Sequence, residues 1–178
     1  PWPQINADIA DDSYKTKYSV GDIFKLVLDN GEYNGLTQIV GINKDVDAFG
    51  HKIPLTFINV DCLSTTHNMN SSATNSDGYT ASDMKTYVDG MKAHMPASLQ
   101  AIIKPTSKVT QLYDGTMSTD TYELWLPSVR EMFNTTDASS GRETSGVDYN
   151  DVFTNDAARI KNRSGSAQWY WLRSTYRS

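Results

Sequence analysis

The chain has little of what several common protein classes require. Its 178 residues include a single cysteine, Cys62, so no disulfide can form within the chain and stability must come from packing. The net charge is −5, which argues against a nucleic-acid partner because such binding needs a basic face. No apolar run approaches the roughly 18 residues of a membrane span. We therefore expect a globular domain with no nucleic acid bound and no membrane span.

Recognisable catalytic and metal-binding patterns are missing as well. The three histidines lie far apart and no paired-ligand spacing occurs, so we expect no metal and no other cofactor. There is no hydrolase nucleophile motif and no glycine-rich phosphate loop. Cys62 lies in an apolar run, which is typical of a buried, inert thiol. Three glutamates can in principle supply a glycosidase pair, but their spacing marks no pair and favours solvated surface: Glu123, Glu131 and Glu143.

The hydrophobic pattern predicts an α+β fold, with antiparallel strands at both ends and two short helices in the middle. Residues 1–19 are polar and predict a linker or docking arm, which leaves a single domain over residues 20–178. Ser82 is predicted to cap one helix, and Pro96 to open the second. A turn at Asp29-Asn30-Gly31 predicts a hairpin. The predicted strands cover residues 23–28, 37–42, 53–60, 108–112, 121–126 and 169–173.

The C-terminal aromatic stretch reads as the last of these strands. Side chains alternate along a strand, so Trp169, Trp171 and Arg173 are predicted to share one face, with Tyr170 and Leu172 on the other. An aromatic pair beside a cation has two interpretations. Either the tryptophans pack in the core with the arginine tied to a carboxylate, or the face is a ligand-binding surface.

Polar loops with interspersed aromatics are the candidate binding surface. Residues 65–80 form a long stretch rich in Ser, Thr and Asn, and a loop of that length inside a domain is often functional. Tyr, Ser, Asn and Gly are also the residues of adaptable binding loops, although ordinary loops are polar too. The predicted ligand-binding residues are Tyr79, Asn75, Asp77, Tyr170 and Tyr176.

An ordered series of segments between about residue 20 and the end carries a family resemblance. The segments are Ile53-Pro54-Leu55-Thr56-Phe57, His67-Asn68-Met69-Asn70, Gly78-Tyr79, Ser82-Asp83-Met84, residues 99–104, Glu123-Leu124-Trp125-Leu126-Pro127-Ser128 with Glu131, Arg159-Ile160-Lys161, and Trp169-Tyr170-Trp171-Leu172-Arg173-Ser174. The series resembles an uncharacterised domain, common in gut Firmicutes and their phages, whose hallmark is Trp-Trp-Leu-Arg-Ser. The late aromatic strand also looks similar to that of C-type-lectin-like domains.

The resemblance implies a non-enzymatic receptor-binding module on a phage tail or bacterial surface protein. Its partners would be a host-surface glycan or protein and other chains of the assembly, as a homo-oligomer. Two alternatives stay open: a structural domain of a virion or tail assembly, and a carbohydrate-active enzyme. Relatives of formylglycine-generating enzymes share the lectin-like fold but need a cysteine pair. Family members usually continue past Leu-Arg-Ser into a closing strand, whereas this sequence stops at Ser178. We expect either that the closing strand comes from elsewhere or that it is disordered or absent here.

Overall fold

Short helices and small antiparallel sheets make up the fold in this computed structural model, which describes residues 1–74, 77–133 and 143–175. The α-helices of that part are α1 (Trp2–Ala10), α2 (Tyr14–Lys17), α3 (Asp83–Gly90), α4 (Ala97–Gln100), α5 (Val129–Phe133) and α6 (Asp156–Arg159), and two short 3-10 helices span Tyr79–Ala81 and Met91–His94. The strands are β1 (Ile23–Val27), β2 (Asn34–Ile42), β3 (Leu55–Asn59), β4 (Thr106–Gln111), β5 (Met117–Tyr122), β6 (Lys161–Arg163) and β7 (Ser166–Gln168). None of these helices is both long and apolar enough to cross a bilayer.

The largest sheet has the order β1-β2-β3, and both pairings are antiparallel. Gly31 adopts φ +80° in the turn between β1 and β2, a conformation that L side chains rarely adopt. β3 begins at Leu55, directly after Pro54, where a residue without an N–H interrupts no strand pairing. The predicted hairpin and the third strand are confirmed.

Helix α3 begins where its cap predicts. The hydroxyl of Ser82 accepts a hydrogen bond from the N–H of Lys85 at 3.0 Å, which satisfies one of the unpaired donors of the first turn. α4 follows directly after Pro96, the residue predicted to open it. Both predicted middle helices are therefore confirmed.

Two smaller hairpins follow. β4 pairs with β5 and β6 pairs with β7, with Lys161 opposite Gln168. β5 ends at Tyr122, so the strand predicted as far as residue 126 stops earlier. The predicted strand over residues 169–173 is wrong, because β7 ends at Gln168 and the chain then leaves its only strand partner.

The N-terminal segment is not an arm outside the core. α1 turns Trp2 and Ile5 inward, and both side chains, like Tyr14 of α2, are buried. Trp2 packs edge-on against Phe57 of β3, with ring centroids 5.6 Å apart. The expectation that residues 1–19 lie outside the core is therefore wrong. Trp2 and Ile5 are three positions apart and therefore lie on one face of a helix. The polar composition of the segment hides this signal in the sequence.

A cluster around Asp8 joins α1 to the chain after it. Its carboxylate accepts hydrogen bonds from the Nζ of Lys17 at 2.5 Å and from the hydroxyl of Tyr18 at 2.6 Å. The bonds from Lys17 and Tyr18 lower the pKa of Asp8 to about 2. The same carboxylate and burial raise the pKa of Tyr18 to about 12, with burial the larger cause. These contacts fix α1 against α2.

The core has two parts that meet at β2. Ile39 belongs to a large cluster with α1 and α3, whereas Val40 belongs to a smaller cluster with Met132, Tyr149 and Phe153. Adjacent residues of a strand face opposite sides, so β2 is covered on both faces. This central strand positions the site elements on either side of it.

Candidate functional site

Arg173 ties the C-terminal segment into the interior. Its guanidinium makes a bidentate ion pair with Glu131, at 2.5 Å to Oε2 and 3.1 Å to Oε1. It also donates to the carbonyl oxygens of Leu126 at 2.8 Å and Val109 at 3.0 Å, and to the hydroxyl of Thr110 at 3.0 Å. One interpretation placed the tryptophans in the core and tied the arginine to a carboxylate, and the part that concerns the arginine is confirmed.

The ion pair extends into a buried charge network, which consists of Asp45, Lys108, Glu131, Arg173 and the hydroxyl of Tyr149. Lys108 lies 3.0 Å from Glu131 and also binds Asp45, while Tyr149 donates to Asp45 at 2.9 Å. Burial alone would raise the pKa of Glu131, but the charges of Arg173 and Lys108 lower it to about 2. Two carboxylates face two cations, so the network is balanced and its groups are engaged with one another.

The two glutamates near this network are not solvated surface. Glu131 and Glu143 are each 1% exposed. Glu131 and Ser128 form a reciprocal cap at the start of α5, with 2.9 Å from the N–H of Ser128 to Glu131 and 3.1 Å from the N–H of Glu131 to Ser128. Glu143 accepts a hydrogen bond from the hydroxyl of Ser174 at 2.7 Å. The expectation of exposed glutamates is wrong at both positions, and the Ser-x-x-Glu spacing is the sequence signal for the first.

A cleft of about 580 Å³ lies beside the network. Its apolar lining comes from α1, β3, α3 and α4, and its other wall from residues 123–127 and 161–171. The ring of Trp125 lines the cleft and covers Lys108, whose Nζ lies 4.4 Å from the ring centroid. Trp125 and Tyr149 therefore lie where the charge network meets the cleft.

Two tryptophans of the C-terminal segment line this cleft without being buried. Trp169 is fully exposed and Trp171 is 51% exposed. The indole Nε1 of Trp171 donates to the carbonyl oxygen of His67 at 2.9 Å, and His67 stacks on Tyr87 with centroids 3.6 Å apart. The prediction that the tryptophans pack in the core with Arg173 is wrong. Beyond Gln168 the segment is not a strand, so alternation does not place these side chains on one face.

The predicted loop residues are distributed differently from the expectation. Tyr79 is buried, its hydroxyl accepts from the N–H of Leu126 at 3.2 Å, and burial raises its pKa. It is therefore wrong as an exposed aromatic anchor. Asp77 is exposed, whereas Asn75 and Tyr176 lie outside the described residues. The structure does not bring Asp77 or Tyr79 to the lining of the cleft.

Tyr170 does line the cleft, but it is half-buried. Its hydroxyl donates to the carbonyl oxygen of Arg159 at 2.8 Å, and its ring packs with Leu172 against the smaller core cluster. Burial raises the pKa of the Tyr170 hydroxyl. A direct role for Tyr170 in binding stays a prediction.

Two cations on β6 also line the cleft. Lys161 is 8% exposed, and its Nζ donates to the carbonyl oxygens of Asn59 and Val60. Burial lowers the pKa of Lys161 to about 8. Arg163 is half-buried and donates to the side chain of Gln168 at 3.3 Å. Within the described ranges, neither cation forms a salt bridge.

Metal ligands and reactive thiols are not gathered in the cleft. Across residues 1–74, 77–133 and 143–175, no three His, Cys, Asp or Glu side chains converge as a metal site. Cys62 lies in the cleft lining and is half-buried rather than buried. Burial raises the pKa of its thiol, which disfavours the nucleophilic thiolate.

Comparison with known families places most of the chain in one of them. Residues 55–178 match the profile of a domain of unknown function, DUF6273. The match covers more than half of the sequence, so the chain belongs to this family of uncharacterised domains, as the ordered segments predicted. No curated protein and no solved structure matches the chain. The matched range contains Trp169, Trp171 and Arg173, whereas α1, β1 and β2 precede it.

Proposed function

We propose that this domain is a non-enzymatic carbohydrate-binding module whose ligand occupies the cleft beside Trp169 and Trp171. The observation that carries the proposal is a fully exposed tryptophan and a half-exposed one at an apolar cleft of about 580 Å³. Large exposed aromatic surface is costly in water and marks interaction sites. A cleft of this size, mostly apolar with a few polar groups, is typical of small-molecule and sugar sites.

A sugar fits the chemistry of this cleft. A flat indole ring packs against the C–H face of a pyranose, while the hydroxyl groups need hydrogen-bonding partners around the ring. The cleft lining supplies such partners in Gln168, which directly precedes Trp169, and in Arg163, which donates to Gln168. The hydroxyl of Thr65 also belongs to the lining and contacts the ring of His67. Aromatic area next to these polar groups favours a glycan over a purely apolar ligand.

The state of the acidic residues favours binding over hydrolysis. A glycosidase needs one carboxyl group that is protonated at working pH. Glu131 instead has a pKa of about 2 and is paired with Arg173, and Glu143 is bonded to Ser174. Glu123 lines the cleft but forms an ion pair with Lys92 at 2.7 Å. These glutamates serve the fold, which makes a carbohydrate-active enzyme the weaker alternative.

The setting in which such a module would act is part of the same proposal. The resemblance of the C-terminal segment to phage and Firmicutes surface proteins supports a role on a phage tail or bacterial surface, with a host-surface glycan as ligand. A C-type-lectin-like fold would fit that role. Several copies on one particle would give useful avidity even if each cleft binds weakly.

An assembly domain of a virion or tail is the second candidate, and one observation favours it. β1 is an edge strand, and Ile23 and Val27 on it are 55% and 43% exposed. An exposed apolar edge can pair with another chain. This surface is separate from the cleft, so the two roles are tested by different variants.

The test is a glycan array with the wild-type domain and two single variants. Trp169→Ala should reduce binding at least about tenfold, because aromatic residues of this kind dominate interfaces. Phe49→Ala is the matched control, since Phe49 is 86% exposed but does not line the cleft. Binding that is lost equally in both variants, unchanged in Trp169→Ala, or absent on the whole array would overturn the proposal.

A further inference from the structure

The cleft is lined by more positive than negative charge, although the chain is acidic overall. The charged residues of its lining are Asp61, Lys104, Glu123, Lys161 and Arg163. Glu123 is neutralised by Lys92, and Asp61 accepts the N–H of Asn162 at 3.1 Å. Three cations therefore face one carboxylate that lacks a salt bridge among the described residues. In a chain of net charge −5, this sign reversal is local to the cleft.

The cations nearest the tryptophans lie on one face of β6. Lys161 and Arg163 are two positions apart on the strand, so their side chains point to the same side. Arg163 touches Gln168, the residue that directly precedes Trp169. A charged guanidinium and an exposed indole therefore both line the cleft and are linked through Gln168.

Arg163 differs from Lys161 in how many of its hydrogen-bond donors the described residues use. A guanidinium carries five N–H donors in a planar fork, and the described residues give that of Arg163 one hydrogen bond, at 3.3 Å. Lys161 is buried and turned towards the carbonyl oxygens of Asn59 and Val60. Arg163 is therefore the group that can contact a ligand. Lys161 adds positive electrostatic potential from its buried position in the cleft lining.

We infer that the sugar recognised in this cleft carries a carboxylate, as a uronic acid does, and that Arg163 binds it. The fork of the guanidinium matches the two oxygens of a carboxylate, and the ring of the same sugar lies against Trp169. The positive lining attracts an acidic glycan and disfavours a cationic one. This inference rests on the proposed function, since it names the class of ligand for the same cleft.

The test uses an array on which each uronic-acid oligosaccharide stands beside its methyl-esterified form. The ester keeps the sugar ring and removes the negative charge. Wild-type protein should bind the acid at least about tenfold better than the ester, and raised salt should narrow the difference. Arg163→Gln should lose that preference and keep weak binding to both forms. Arg163→Lys keeps the charge but not the fork, so its preference for the acid should lie between that of the wild type and that of Arg163→Gln.

Two controls separate the possible failures. Lys25→Gln removes one positive charge from exposed β1, outside the cleft, and should leave the preference unchanged. Melting curves should show both Arg163 variants folded, since the side chain is half-buried on a two-stranded hairpin. Equal binding of acid and ester by the wild type would overturn the carboxylate inference and leave the carbohydrate module standing. Failure to bind any oligosaccharide on this array would overturn the carboxylate inference, and failure on the wider glycan array as well would overturn both. A preference that survives in Arg163→Gln would remove Arg163 from the site.

Discussion

Trp169 and Arg173 lie in one short segment but differ in burial, and each is on the side of the protein surface that its chemistry disfavours. Arg173 is 3% exposed and every direction of its guanidinium meets an acceptor, whereas Trp169 is fully exposed at the cleft. A buried charge is tolerated only when it is paired and hydrogen-bonded. A large apolar ring on the surface has no such compensation in the isolated domain. The buried end of the segment therefore holds the fold, and the exposed end is available for a ligand.

The same contrast separates the charge network from the cleft. The network pairs two carboxylates with two cations, while the cleft keeps Lys161 and Arg163 without a salt bridge in the part of the chain that is described. Trp125 and Tyr149 lie where the two regions meet. Removing charge should therefore destabilise the protein in one region and change binding or titration in the other.

The largest effect is expected from breaking the network at Arg173. Arg173→Met should lower the free energy of unfolding by about 3–5 kcal/mol, because Glu131 then lacks its bidentate partner in the interior. Chemical denaturation of both proteins measures the loss. The double variant Glu131→Gln/Arg173→Met should lose less than the sum of the single changes. Strict additivity, or a single variant within about 1 kcal/mol of the wild type, would contradict the structural role of the pair.

Acid should weaken the same region. The pKa of Glu131 is about 2 in the folded protein against 4.5 without its surroundings. Its stabilising contribution is present above pH 4.5 and is lost as the pH falls towards 2, with a total of about 3 kcal/mol. The difference in unfolding free energy between wild type and Glu131→Gln should shrink over this range. A difference that is constant with pH would show that Glu131 titrates normally.

The protein should also become more stable with rising pH in the alkaline range, through Lys161 in the cleft lining. Its pKa falls from 10.5 to about 8 on folding, so the buried ammonium is unfavourable at neutral pH and this penalty disappears at alkaline pH. Between pH 8 and 10.5 the wild type should gain up to about 3 kcal/mol relative to Lys161→Met, which carries no charge at any pH. Urea denaturation at pH 7 and pH 10 measures the change. Parallel stabilities of the two proteins would mean that Lys161 is solvated.

Local signals in the sequence were sufficient for several elements. The Asp-Asn-Gly turn, the cap at Ser82 and the strand predicted over residues 108–112 each depend on residues close together in the chain, and the structure confirms these elements. Trp2 and Ile5 also carry a local signal, the helical spacing of α1. The polar composition around these two residues concealed the spacing, so residues 1–19 were predicted to be a linker or docking arm although they belong to the core.

Contacts between residues far apart in the chain could not be predicted from the sequence. Arg173 is drawn inward by Glu131, and Lys108 of β4 joins Asp45 from before β3, pairings that no spacing within the chain reveals. The aromatic residues 169–171 have high strand propensity, but propensity needs a neighbouring strand. The last residue of β7, Gln168, pairs with the first residue of β6, Lys161, so no residue of β6 remains to pair with them. The exposure of Trp169 and Trp171, and hence the cleft, follows from that missing partner. The buried state of Glu143 likewise depends on Ser174, far along the chain.

A smaller effect is expected at Trp171, on the border between the two regions. Trp171→Ala should lower the free energy of unfolding by about 1 kcal/mol, since the side chain is half-exposed and its main polar contact is one hydrogen bond to His67. Trp171→Phe removes that bond but keeps one aromatic ring, so it should lose less. Thermal melts of the two variants provide the comparison. A loss of stability as large as that of Arg173→Met would mean that Trp171 packs as a core residue.

The smallest effect on stability is expected at Trp169. Trp169→Ala should change the free energy of unfolding by less than about 0.5 kcal/mol, because an exposed side chain loses little contact when it is truncated. Differential scanning calorimetry of the variant beside Phe49→Ala measures this, and the two melting temperatures should agree with that of the wild type. An unchanged melting temperature together with lost glycan binding would assign Trp169 to the ligand alone. A clear drop in the melting temperature would instead mean that the indole packs against the domain, and the exposed end of the segment would then share the structural role of Arg173.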